Sequence, residues 1–142
     1  MAIFQSWENS PILTRAWDDY VRKIVGEVED RFSVRCYTYA DHGYIGGQPW
    51  SIDVAISPLG VKANHEQEEL GDRIQRFVES NIRRWKIYYI IYWNWYRYPP
   101  NLWKPYEKHA DRLGGSGNYF TRRHFDHLHV TISQGYEYRP PA

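Results

Sequence analysis

Apolar residues recur at helical spacing early in the chain. Ser10 can serve as an N-cap with Pro11 at the first helical position, and Ile12, Leu13, Ala16, Val21, Ile24, Val25 and Val28 follow on one stripe. This predicts a helix to about residue 31. β-Branched and aromatic residues from Ser33 to Tyr39 predict a short strand, and the glycines and Pro49 between Asp41 and Trp50 predict a loop. From Ser51 to Ser57 the pattern alternates: Ile52, Val54 and Ile56 take one face, Asp53 and Ala55 the other. Asn64 can cap a second helix to about Trp85, with Leu70, Ile74, Phe77, Val78 and Ile82 as its apolar stripe and acids in its first turn.

The Ile and Tyr run from Lys86 to Trp93 suits a buried strand, and Trp95 to Tyr98 suits a return beside it, stopped by Pro99-Pro100. Asn101 to Arg123, with Pro105, Gly114, Gly115 and Gly117, reads as a long irregular excursion, and such loops in small domains are usually functional or disordered. A strand from His127 to Ser133 closes the domain, and 135–142 reads as a tail. The expected architecture is α+β: a small antiparallel sheet with two long helices packed on it, in a single domain spanning residues 1–142.

Composition narrows the function classes. With 142 residues, 42% hydrophobic and 25% charged, the chain can bury one core without disulfides. A net charge of +1, with bases scattered among acids, argues against nucleic acid as a partner. No apolar run is long enough to span a bilayer, and the residues after Met1 do not read as a secretory signal. The aromatic share of 18%, with 7 Trp and 13 Tyr, exceeds what a core of this size needs, so rings are expected in a groove for sugar or peptide or in a Tyr-rich loop network. The single Cys36 has no neighbouring base and reads as a small buried side chain.

The chemistry concentrates in two clusters. The first is His124-Phe-Asp-His-Leu-His129, where His127 and His129 share one strand face and can converge on one point, as an open zinc site with three protein ligands requires. The second is Asp41-His42, then a Gly-rich loop, then Asp53 inside an apolar strand. A buried carboxylate must there be paired, hydrogen-bonded or metal-bound. Taken singly, each cluster also fits a structural role; together they offer two histidines and a carboxylate on adjacent strands. Arg35, Arg122 and Arg123 can each pair with a carboxylate, or simply be solvated.

The order His42, then Gly and Trp, Ser51-Ile-Asp-Val, a long helix, Trp93-Asn94, Trp103-Lys-Pro-Tyr106 and Asp126-His-Leu-His-Val130 resembles the D-alanyl-D-alanine metallopeptidase group, in its actinobacterial and phage branch. The resemblance covers roughly residues 33–134. It implies Zn²⁺ held by His42, Asp53 and His129 in a cleft lined by the loops at 41–50 and 99–123. It further implies Asp126 as general base and His127 as the group that stabilises the oxyanion or orients substrate. The implied reaction is hydrolysis of an amide bond in bacterial peptidoglycan peptide, by a protein released on lysis or carried in a phage particle.

The separation of His42 from Asp53 is longer than in that group. The extra residues include Gly46 and Gly47, and such a stretch can bulge while its ends hold their places. His124 is the substitute ligand, and Asp126, where the group more often has Glu, can instead fix a histidine tautomer. Two other readings compete. A two-histidine phosphodiesterase would need a second motif like His129-Val-Thr131, and no other histidine is followed two residues on by Ser or Thr. A non-catalytic wall-binding module or phage tail protein that keeps the fold would bind without hydrolysis.

Overall fold

The computed structural model describes residues 2–39, 47–106 and 119–133. Its centre is an antiparallel sheet built from β1 (Leu13–Thr14), β2 (Cys36–Tyr39), β3 (Ser51–Ala55), β4 (Ile87–Tyr92), β5 (Trp95–Arg97), β6 (Lys104–Pro105) and β7 (His127–Ile132). The spatial order is β1-β2-β3-β7-β4-β5-β6, so the last strand in sequence lies in the middle. The helices are α1 (Ala2–Glu8), α2 (Asp19–Phe32), α3 (Gly47–Trp50), α4 (His65–Glu79) and α5 (Tyr119–Arg122). The α+β expectation, with α2 and α4 as the two long helices on the sheet, holds.

Alternation along the strands gives the two sheet faces different chemistry. Ile52 and Val54 of β3, Leu128, Val130 and Ile132 of β7, and Ile87 and Ile90 of β4 form one buried core with Val21, Ile24, Val25 and Val28 of α2 and Ile74 and Val78 of α4. The opposite face is polar at the same strands: Ser51, Asp53, His127, His129 and Thr131 are all buried there. One end of that polar face is covered by α1. Its Trp7 is fully buried, stacks on Tyr37 with centroids 5.7 Å apart and donates from Nε1 to Ser57 O at 2.7 Å.

Element boundaries depart from the periodicity in several places, among them α3 at the end of the expected 41–50 loop and α5 at the end of the expected excursion. The first long helix does not open at Pro11, because Leu13 and Thr14 pair with Tyr39 and Thr38 as an edge strand. The helix begins after Asp18, whose carboxylate accepts from the Tyr20 N–H at 2.9 Å. The second long helix starts as expected, with Asn64 and Gln67 forming a reciprocal capping box, but it ends at Glu79 and the chain then turns through residues 80–86. Within the expected excursion, Lys104–Pro105 pairs with Tyr96 and Trp95 as a short outer strand.

Candidate metal centre

The site grows from the register of two strands. Asp53 of β3 lies directly opposite His129 of β7, and His127, two residues earlier, projects to the same face. Asp53 Oδ1 accepts from His129 Nδ1 at 2.8 Å and lies 3.6 Å from His127 Nε2. The Thr131 hydroxyl sits 2.7 Å from His129 Nε2, so both ring nitrogens of His129 are positioned by neighbours on this face.

His124 arrives from another direction. It follows α5 with a left-handed backbone, φ 62°, which is uncommon for a residue with a Cβ, and its N–H bonds back to Thr121 O. The reversal brings its ring to 4.3 Å, centroid to centroid, from His127 and to 5.8 Å from His129. Three buried histidines, His124, His127 and His129, thus lie close enough to bind one metal ion, each offering a nitrogen within 4.8 Å of the others. An ion with Zn–N and Zn–O bonds of about 2.0–2.2 Å in tetrahedral geometry separates its donors by roughly 3.3–3.5 Å. Asp53 Oδ1 and His129 Nδ1, 2.8 Å apart, lie somewhat closer than that, and imidazole nitrogens beside a buried carboxylate are a donor set suited to a divalent cation.

Asp126 is fully buried and committed to partners. Its Oδ1 is 2.6 Å from His127 Nδ1, and its Oδ2 accepts from the Gly60 N–H at 2.7 Å and the Thr121 hydroxyl at 2.6 Å. These contacts suit the tautomer-fixing role: with Nδ1–H held by a carboxylate, His127 turns Nε2 toward Asp53. Burial pushes the His127 pKa down, but the charges of Asp53 and Asp126 and the hydrogen bond to Asp126 outweigh it and leave the pKa above its ordinary value.

Tyrosines complete the surround, a feature the sequence reading left among the general aromatic excess. Tyr89 of β4 stacks on His129 at 5.4 Å, and Tyr106 meets His124 edge-on at 5.2 Å. Burial first, then the charges of Asp53 and Asp126, raises the Tyr39 pKa far above the phenol range, so this hydroxyl stays protonated. Tyr89 and Thr131 were findable, because period two from His129 along β7, and the register Tyr89↔Thr131, place them on the histidine face.

The other expected residues are placed as follows. His42 lies outside the described residues, as do the rest of 41–46 and 107–118 of the loops expected to line the cleft. Arg35 pairs with Glu8 at 3.1 Å, and Arg123 is buried, its carbonyl accepting from the Asn94 N–H. Cys36 is fully buried and its thiol pKa is pushed well up by burial, which makes it a poor nucleophile.

Residues 10–118 match the family described as VldE, C-terminal domain. The chain belongs to that family. The matched segment includes Asp53 and both long helices and ends before α5, so the three clustered histidines, which lie between α5 and the middle of β7, fall outside it. No curated protein matches the chain, and no solved structure does.

Proposed function

We propose that the buried histidine and aspartate cluster is a zinc site, and that the protein hydrolyses an amide bond in bacterial peptidoglycan peptide. The observation that carries the metal half is Asp53 Oδ1, set between His129 Nδ1 and His127 Nε2 in a buried pocket that also holds His124. The peptide half rests on the order of motifs that resembles the D-alanyl-D-alanine metallopeptidases.

Asp53 and His129 hold the ion in this reading. The third donor is His42, as the resemblance implies, or His124, which the described geometry brings within reach. Thr131 Oγ is placed to accept Nε2–H of His129 once Nδ1 offers its lone pair to a cation. Bound zinc supplies a Lewis acid that polarises a carbonyl and acidifies water. His127, its Nδ1–H fixed by Asp126, would donate from Nε2 to negative charge developing on the substrate carbonyl oxygen. Asp126 acts through His127 as a positioning residue.

The test is digestion of purified peptidoglycan by the zinc-loaded chain, following the amino groups that amide cleavage releases. Release that stops with a chelator and returns with zinc is expected. Zinc bound at the cluster with no new amino groups from any wall preparation would leave a binding module as the better reading.

A further inference from the structure

Away from the histidines, where α4 meets the β4–β5 hairpin, a cavity of about 350 Å³ is lined by Asp72, Gln75, Tyr92, Trp93, Trp95 and Trp103. Its volume is at the lower end for small-molecule sites. We propose that this cavity binds a neutral saccharide.

Three indoles and a phenol gathered around a carboxylate and an amide make up the lining. Flat aromatic rings suit the C–H faces of a pyranose, and Asp72 and Gln75 offer acceptors for its hydroxyls. Asp72 Oδ1 takes the Tyr92 hydroxyl at 3.1 Å, and among the described residues no hydrogen bond engages Asp72 Oδ2 or Gln75 Oε1. Asp72, for which no ion pair is seen among the described residues, selects against an anionic sugar at its end of the lining, while Lys62 Nζ lies over the Trp93 ring at 5.5 Å and Glu79 is neutralised by Arg97. Besides Asp72, Glu79 sits behind the lining, bonded to Gln75 Nε2 at 2.8 Å and to Trp103 Nε1 at 3.2 Å.

Much of the lining is held in advance, which lowers the cost of ordering on binding. Glu79 also pairs with Arg97 of β5, so one carboxylate anchors Trp103, Gln75 and the hairpin. Trp93 and Asn94 form the two-residue hairpin turn with φ of 51° and 65°, a conformation that Gly and Asn take readily and a bulky residue resists. Its N–H donates to His124 O at 3.0 Å and its ring meets Phe125 at 4.8 Å, which keeps the indole in place despite the strain. Trp95 is 46% exposed, a large ring left open to solvent beside the cavity. The inference stands apart from the metal reading, since no lining residue belongs to the histidine and aspartate cluster.

The experiment is calorimetric titration of the full chain with the tetramer of N-acetylglucosamine, the tetramer of glucose, tetragalacturonate and an alanine-rich wall tetrapeptide. Saturable binding of at least one neutral tetramer is expected, at least tenfold tighter than tetragalacturonate. Trp95→Ala and Asp72→Ala should each weaken it at least tenfold, while Asp53→Asn and a chelator leave it unchanged. Melting curves verify that the variants fold; the exposed position of Trp95 makes its truncation harmless to the core. Lack of saturable binding by both neutral tetramers overturns the proposal. So does binding that survives both pocket variants, binding lost in Asp53→Asn, or occupation of the site by the tetrapeptide in place of the sugars.

Discussion

Buried carboxylates set the behaviour of individual residues here. Asp53 and Asp126 are both fully buried, and each is tolerated because imidazoles, hydroxyls or N–H groups surround it. If Asp126 positions His127, Asp126→Asn should lower wall hydrolysis roughly 10–100-fold with zinc retained. A general base would show a larger loss, up to about 10⁴-fold, so the kcat of this variant separates the two roles. Glu29 provides the pH dependence. Burial pushes its pKa up, but the Arg15 guanidinium at 2.6 Å and the Cys36 N–H at 2.8 Å bring it below the ordinary 4.5. A depressed folded pKa contributes stability above the unfolded value and loses it as pH falls through the folded one. Wild type should therefore melt above Glu29→Gln at neutral pH, with the gap closing as pH drops below 4.5. Asp53 and His129 were legible in the sequence because each is a polar residue at an alternating position of a strand. His124 was harder, because its approach depends on a left-handed turn that no periodicity marks.

Elements show where local signals suffice and where tertiary contacts override them. The alternation of β3 and β7 and the Asn64 cap of α4 were readable because each is decided by neighbours in sequence. The strand at Leu13–Thr14 was not, since its partner lies some twenty-five residues on, and α1 was not, since its main anchor is a single buried indole, Trp7, against Tyr37 and His127. Two helical glycines give opposite predictions. A Cβ on Gly26 of α2 would meet nothing within 4 Å, so Gly26→Ala should stabilise by about 0.5–1 kcal/mol through helix propensity. A Cβ on Gly71 of α4 would collide with the Tyr92 hydroxyl, reach Cζ at 2.8 Å and Ile56 Cδ1 at 3.0 Å. Gly71→Ala should cost about 1–2 kcal/mol net, because overpacking outweighs propensity. Chemical denaturation of the two variants checks both signs.

For the whole molecule, the two faces of the sheet divide the work. Helices α2 and α4 build the apolar core on one face, and the other keeps a buried row of Asp, His, Ser and Thr. Among the described residues no helix is long and apolar enough to cross a membrane. A cation that binds only the folded state adds stability by mass action, about 2.7 kcal/mol at a free concentration 100 times Kd. Zinc should therefore raise Tm in the wild type and leave Asp53→Asn unmoved in a thermal melt. The most direct measurement is bound metal by elemental analysis of untagged protein, comparing wild type with Asp53→Ala, His129→Ala, His42→Ala and His124→Ala. About one zinc per chain in the wild type is predicted. It should be lost in Asp53→Ala, in His129→Ala and in one of the other two variants, which names the third ligand. A wild-type protein that holds no metal after zinc is supplied, or that keeps it without Asp53 and His129, would contradict the account.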